Sequence, residues 1–229
     1  MRTLTFRVLG VVASIALTLG ACGGGGGGDG GGDTITLPAI YSDGALDGRI
    51  NYHVPTGSDF IVQANLPPLV GDHDCLSGVA NGYGYRSFLC YPLASIPAGA
   101  NVTQAILRVW QTQVTSGGGA HNPYDHLGDL SLHHITLTNG TSLTGPDCTK
   151  APEADMGVLS TDASLGVKSR DVTSAVRADL LNGRTYSHFR VQFTVTDSDA
   201  DNWCEAVGLS DGEGNGGSNL PELVVTYAP

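Results

Sequence analysis

The chain is poor in positive charge. It carries 11 lysine and arginine residues against 22 aspartate and glutamate residues, which gives a formal net charge of −11. Proteins that bind nucleic acid or anionic lipid need clustered basic side chains to neutralise phosphate groups. The composition therefore argues against nucleic acid and against an anionic lipid surface as partners.

Long apolar runs are lacking too. The run at residues 8–19 extends for about a dozen residues, fewer than the ~20 that a membrane-spanning helix needs. Two basic residues, Arg2 and Arg7, precede it. A basic segment followed by a short apolar run is typical of an export signal. We therefore expect residues 1–21 to be a signal peptide.

The export signal ends in LGAC at residues 19–22, which resembles the lipobox of bacterial lipoproteins. The resemblance implies cleavage before Cys22 and attachment of lipid to its sulfur. An ordinary secretory signal with an incidental cysteine is the alternative. Residue 23 is glycine rather than aspartate, and in a Gram-negative host the sorting rule for such lipoproteins implies the outer membrane. The predicted location is thus the outer membrane or cell surface.

Residues 22–33 are expected to join the lipid to a single domain at residues 34–229. After Cys22 the sequence reads GGGGGGDGGGD. A glycine-rich segment cannot bury apolar surface and loses maximal entropy when ordered. It should act as a flexible tether with a typical reach on the order of 18 Å.

Four cysteines remain once Cys22 is assigned to the lipid: Cys75, Cys90, Cys148 and Cys204. An even number in an oxidising compartment predicts two disulfides, with three possible pairings. The turn-like Asn81-Gly82 midway between Cys75 and Cys90 favours a hairpin that pairs them. Cys148–Cys204 then follows by elimination. A zinc site is the alternative, but no CxxC pair supports it.

Hydrophobic side chains alternate with polar ones over most of the domain. This two-residue period predicts strands with one buried face, at residues 89–93, 105–110, 130–137, 189–195 and 223–227. One segment differs, because Asp171 precedes apolar residues at helical spacing and Asn182-Gly183 follows them. The sequence therefore predicts an all-β sandwich of two antiparallel sheets with one short helix.

Several of these segments also carry a family resemblance. They are RSFLCYPL at residues 86–93, IPAGANVTQAIL at 96–107, the helix from Asp171, the strand from Phe189, and PELVVTY at 221–227. Together they resemble the DNRLRE domain family, which is similar to carbohydrate-binding modules with jelly-roll folds. The resemblance spans roughly residues 40–228. It implies a jelly-roll β-sandwich that binds an extracellular polysaccharide or glycan.

An acidic string supplies the candidate metal ligands Asp197, Asp199 and Asp201. Calcium (Ca²⁺) takes several oxygen ligands, and alternating aspartates on a tight loop can converge on one point. The string resembles the first half of an EF-hand loop, but Asn202 and Gly208 stand where that loop needs glycine and glutamate. An irregular calcium site and a solvated acidic turn are therefore both open.

Sugar rings stack on exposed aromatic side chains, and Tyr83, Tyr85 and Trp110 are the candidates for this role. Strand parity places Trp110 opposite Val109, off the core face. The Tyr83-Gly84-Tyr85 string is expected in a loop. Further candidates for this role are Tyr124, Tyr186 and Trp203.

These observations predict a non-catalytic, lipid-anchored surface protein that binds an extracellular polysaccharide or glycan. The main alternative is a structural or adhesive lipoprotein that contacts proteins or assembles with its own copies. A polysaccharide lyase is a weaker alternative, suggested by four histidines close in sequence: His121, His126, His133 and His134. The chain lacks an HExxH motif and a Gly-rich phosphate loop, and we assign no catalytic residue.

Overall fold

A computed structural model describes residues 34–37, 40–43, 46–64, 66–72, 82–116, 121–201, 203–211 and 219–229. All of them belong to one unit, residues 32–229. The predictions for the signal peptide, Cys22, the tether and Cys75 lie outside the described residues. Within these ranges, no helix has the length and apolar character needed to cross a membrane.

The described chain is mostly β-structure. Its strands are β1 (Ile35–Thr36), β2 (Ile40–Tyr41), β3 (Gly48–His53), β4 (Ser58–Ala64), β5 (Leu69–Asp72), β6 (Tyr83–Pro92), β7 (Asn101–Thr115), β8 (Leu130–Ile135), β9 (Ala154–Ser160), β10 (Gly166–Asp171), β11 (Tyr186–Phe193), β12 (Ala206–Leu209) and β13 (Glu222–Ala228). The helices are α1 (Pro123–His126) and α2 (Thr173–Leu181), with a 3-10 turn at Gly145–Cys148. Every strand pairing is antiparallel. The all-β fold class is confirmed.

The strands form two layers. In one layer the long β7 pairs with β10 on one edge and with β13 and then β12 on the other. In the second layer β6, β11, β8 and β9 lie side by side, and β3 and β4 extend from the free edge of β6. Strand β5 pairs with both β12 and β6, so it joins the layers. The loops around this junction form the candidate site.

One apolar cluster fills the space between the layers. Alternate side chains of β7 and β13 enter it from one layer, and alternate side chains of β6 and β11 from the other. Its members include Ala105, Leu107, Val109, Leu223, Val225, Leu89, Tyr91, Phe189 and Val191. Complete burial of one large apolar side chain stabilises a fold by roughly 1.5–3 kcal/mol. The core faces predicted for β7, β13 and β11 are confirmed as far as Phe193. Val195, which the alternation also predicts to be buried, lies beyond β11 and is 73% exposed.

A second apolar cluster covers the outer face of β6 and its neighbours. It contains Phe88, Cys90 and Ile135, and it is closed by the segment from Leu137 to Cys148. Because both faces of this layer are buried, Leu132 lies in the first cluster and Ile135 in the second. This explains why the apolar phase shifts within β8 in the sequence.

The predicted disulfide pairings are wrong. Cys90 and Cys148 are free, buried thiols, which excludes both Cys75–Cys90 and Cys148–Cys204. Strands β5 and β6 do pair, but Asp72 lies opposite Gly84. Cys90 therefore lies six residues farther along β6, about 20 Å at 3.4 Å per residue. Cys204 is disulfide-bonded, and its partner lies outside the described residues.

The predicted helix is confirmed as α2. The Asp171 carboxylate accepts hydrogen bonds from the backbone N–H and the hydroxyl of Thr173. These bonds lower the pKa of Asp171. Ala175 and Val176 are buried against the core. The helix stops before Asn182, whose backbone N–H bonds to the Ala178 carbonyl.

Candidate functional site

Asp197 is a structural residue of the fold. Its Oδ2 accepts hydrogen bonds from the Tyr52 hydroxyl and from Arg86 Nε, both at 2.7 Å, and its Oδ1 accepts one from the Phe193 N–H at 3.0 Å. This buried carboxylate therefore accepts three hydrogen bonds, one of them from the charged Arg86 guanidinium. The structure brings Asp199 and Asp201 into one cluster of potential ligands, but not Asp197.

The segment Tyr83-Gly84-Tyr85 is part of β6 and not a loop, so that prediction is wrong. Tyr85 is only 5% exposed, and the Arg49 guanidinium lies 5.0 Å from its ring centroid. A Cβ atom at Gly84 would clash with the Asp197 carbonyl, which explains the glycine between the two tyrosines. The Tyr83 ring packs against His53. Tyr85 is therefore too buried to stack on a sugar.

Trp110 lies on the outer side of β7, opposite the buried Val109, as strand parity predicted. It is half-buried. Val167 is its direct partner on β10 and is 52% exposed. On the same face, the Arg108 guanidinium pairs with the Glu222 carboxylate at 3.0 Å. Trp110 thus lies on a mixed apolar and charged surface of the first layer.

Two histidines and three carboxylates converge where the loop after β11 meets α1. His126 Nδ1 lies 3.1 Å from Glu205 Oε1 and 3.7 Å from Asp199 Oδ2. His121 Nδ1 lies 3.5 Å from both Glu205 Oε1 and Asp201 Oδ2. One ligand atom from each of His126, Asp199, Asp201 and Glu205 lies within 4.8 Å of the others, and His121, His126 and Glu205 form an overlapping set. We call these five residues the His–carboxylate cluster.

Glu205 is the most unusual member of the cluster. Its side chain is 0% exposed, yet neither carboxylate oxygen has a hydrogen-bond donor among the described residues. The Nδ1 atom of His121 is likewise buried without a hydrogen-bond partner there. Burial, and to a smaller extent the negative charges of Asp199 and Asp201, raise the pKa of Glu205. The cluster therefore holds polar atoms whose bonding capacity the protein leaves unused.

The surrounding backbone fixes the position of the cluster. Asp72, the last residue of β5, donates its N–H to the Glu205 carbonyl at 2.7 Å. The Asp72 carboxylate accepts hydrogen bonds from the Ser198 hydroxyl at 3.1 Å and from the Asp199 N–H at 3.3 Å. Ala200 adopts a left-handed conformation with φ of 60°, which turns the chain between Asp199 and Asp201. The carboxylates are thus positioned by the junction of β5 and β12.

Trp203 lies at the rim of the cluster and is 43% exposed. Its indole stacks on the His121 imidazole, with ring centroids 5.2 Å apart and an interplanar angle of 23°. The backbone N–H of Trp203 donates a hydrogen bond to Asp201 Oδ1 at 2.8 Å. Trp203 is therefore an exposed ring held in place beside carboxylates and imidazoles, whereas the sequence singles out Tyr83, Tyr85 and Trp110 for the stacking role.

The other two histidines are separate from the cluster. They face opposite sides of β8, as neighbours on a strand must. His134 Nε2 lies 3.0 Å from the Asp179 carboxylate, and His133 Nδ1 lies 3.2 Å from Arg190 Nη2. Burial and the charge of Arg190 lower the pKa of His133. Both histidines have structural partners.

Comparisons with protein-family models and with curated proteins found no match for the chain. We therefore argue the function from the contacts of the cluster and of Trp203. The sequence offers two signals for this site, the string of aspartates and the closeness of His121 and His126 along the chain. Their proximity to Glu205 depends on the pairing of β7 with β12, which places Thr115, at the end of β7, opposite Ala206.

Proposed function

We propose that the chain is a non-catalytic lipoprotein, held at the outer membrane or cell surface through Cys22, that binds an extracellular polysaccharide or glycan. The observation that supports glycan binding is the exposed Trp203 ring beside the His–carboxylate cluster. Expression of wild-type and Cys22→Ser chains in a lipoprotein-processing host tests the anchor. Loss of lipid labelling and of membrane retention in the variant would support the anchor, and unchanged retention would contradict it.

The chemistry of the rim suits a sugar. The apolar face of a sugar ring packs on an aromatic plane, while its hydroxyl groups bond to planar polar side chains. Trp203 offers the plane, and its stacking on His121 limits the entropy lost when a ligand binds. Asp199 and Asp201 lie in the same loop and offer carboxylate oxygens.

Glycan-array screening followed by calorimetry tests glycan binding. We expect Trp203→Ala to weaken binding at least tenfold. The estimate takes the stacking of a nucleic-acid base on an aromatic side chain, which contributes about 1–3 kcal/mol, as a guide to the stacking of a sugar ring. Trp110→Ala is the matched control, since it removes the other tryptophan from a different surface. Binding that needs Trp110 and not Trp203, or no glycan bound by the wild-type chain, would contradict the proposal.

A second candidate is a structural or adhesive role through contact with proteins or with copies of the chain. It is favoured by exposed apolar side chains on β9, on β10 and in the turn between them, namely Val158, Leu165 and Val167. Exposed apolar surface of this kind marks protein contacts when it is contiguous. Light scattering at increasing concentration would show assembly, and Val167→Ser should reduce it. A concentration-independent monomer would exclude self-assembly.

A further inference from the structure

We propose that the His–carboxylate cluster is a binding site for one divalent transition-metal ion of the zinc class. His121, His126 and Glu205 are the principal ligands, and the carboxylate of Asp199 or Asp201 supplies the fourth. This site goes beyond glycan binding, and it can be tested without any glycan.

The balance of charge within the cluster calls for a cation. Three carboxylates converge there, and the ion pairs described for them within the cluster are with His121 and His126 alone. Glu205 is completely buried and receives no hydrogen bond from the described residues. A buried carboxylate is costly unless it is paired or coordinates a metal ion. A divalent cation would supply the missing partner.

The spacing of the donor atoms fits a small metal ion. Ligand atoms about 2.0–2.1 Å from a tetrahedral zinc ion lie roughly 3.3 Å from one another. The four imidazole–carboxylate separations are 3.1, 3.5, 3.5 and 3.7 Å. Modest side-chain adjustment therefore suffices to place four of these atoms around one ion.

The donor types select the kind of metal. Calcium binds oxygen ligands, usually six to eight of them, whereas imidazole nitrogen suits zinc and the other late first-row metals. The cluster contains two imidazoles. Asp197, one of the three predicted calcium ligands, already accepts hydrogen bonds from Tyr52 and Arg86. The nitrogen and oxygen donors of the His–carboxylate cluster therefore favour zinc over calcium.

Contacts outside the cluster orient the ligands. The indole of Trp203 stacks on the His121 ring. Asp201 Oδ1 accepts a hydrogen bond from the backbone N–H of Trp203, and Asp201 Oδ2 lies toward His121. Asp72 secures Glu205 and Asp199 through their backbone groups. Such supporting contacts are characteristic of metal sites, because they hold the ligands in place before the ion binds.

The test uses the untagged mature chain, stripped with chelator and titrated calorimetrically with Zn²⁺ and, separately, with Ca²⁺. We expect one equivalent of Zn²⁺ to bind, at least a hundredfold more tightly than Ca²⁺. Glu205→Gln should weaken Zn²⁺ binding at least a hundredfold, because it removes the buried charge and keeps the side-chain shape. Asp155→Asn, which alters an exposed His–Asp pair elsewhere, is the matched control and should leave binding unchanged.

Thermal unfolding gives a second measure, and the transition without metal shows whether the variant folds. Zn²⁺ should raise the melting temperature of the wild-type and Asp155→Asn chains by mass action, and the rise should be absent in Glu205→Gln. Tighter binding of Ca²⁺ than of Zn²⁺, no Zn²⁺ binding by the wild-type chain, or equal Zn²⁺ affinity in Glu205→Gln would each overturn the proposal. Glycan binding without Zn²⁺ binding would refute this site alone.

Discussion

The imidazole of His121 lies against the indole of Trp203, with centroids 5.2 Å apart. The pair joins an exposed aromatic surface to a buried set of ligand atoms, since the Nδ1 atom of His121 also faces Glu205 and Asp201. Binding of a metal ion at the buried ligand atoms should therefore be detectable at the exposed Trp203 ring.

Tryptophan fluorescence can detect this coupling. The chain has two tryptophans, so Trp110→Phe leaves Trp203 as the sole emitter. We expect Co²⁺, a paramagnetic ion, to quench this emission when it binds beside His121. Adding Glu205→Gln to the same chain should abolish saturable quenching, and quenching that persists would show that the ion binds elsewhere.

His188 should make the stability depend on pH. It is buried on β11, and neither ring nitrogen has a hydrogen-bond partner among the described residues. Burial lowers the pKa of His188 to about 4, against about 6.5 in an unfolded chain. Between these pH values only the unfolded chain takes up the proton on His188. The contribution of His188 to stability is therefore present above pH 6.5 and is lost as the pH falls towards 4.

Urea unfolding at pH 7 and at pH 4.5 measures the effect. The wild-type chain should lose up to about 3 kcal/mol more than His188→Leu between these pH values. His53→Gln, at the end of β3, serves as a control for the loss of a less buried histidine. Equal pH dependence in the wild-type and His188→Leu chains would contradict the assignment.

Asp197 should be important for stability. Asp197→Asn leaves Arg86 and Tyr52 without their buried anionic partner, and breaking a buried ion pair costs about 3–5 kcal/mol. Asp162→Asn is the matched control, because Asp162 pairs with Lys168 while 61% of its side chain is exposed. The control should change the free energy of unfolding far less, because water screens an exposed ion pair. Similar losses in the two variants would show that Asp197 does not anchor the loop.

The free thiols of Cys90 and Cys148 should be far less reactive in the folded chain than in the unfolded chain. Burial raises the pKa of Cys148 to about 12, and burial also raises the pKa of Cys90. Both should resist alkylation until the chain unfolds, because the thiolate is the reactive form.

With these two free and Cys22 assigned to lipid, we expect Cys204 to bond to Cys75. Peptide mapping without reductant identifies the bridge, and a bridge that includes Cys90 or Cys148 would contradict this expectation.

The strands were predictable wherever burial is one-sided. Alternation marks β7 and β13 in the sequence, because each presents one face to the core. It was less informative for β6, where Phe88 and Leu89 enter different clusters, so Tyr83 and Tyr85 were expected in a loop. A fully paired, doubly covered strand and a loop both lack alternation.

The candidate site was only partly predictable. Two members of the aspartate string, Asp199 and Asp201, lie in the cluster, and Asp197 does not. The sequence alone did not show that Asp197 faces Arg86, because that contact depends on how β6 lies beside the loop after β11. Trp203 was recognised as a candidate aromatic residue, but its position beside His121 was not foreseen.

The amino-acid sequence by itself determined the all-β class, the helix at α2 and the outer position of Trp110, since these depend on local periodicity and turn chemistry. Only the tertiary structure decided which cysteines stay free and which side chains surround Glu205. Those features depend on strand register, and a register such as Asp72 opposite Gly84 is set by packing between segments far apart in the chain.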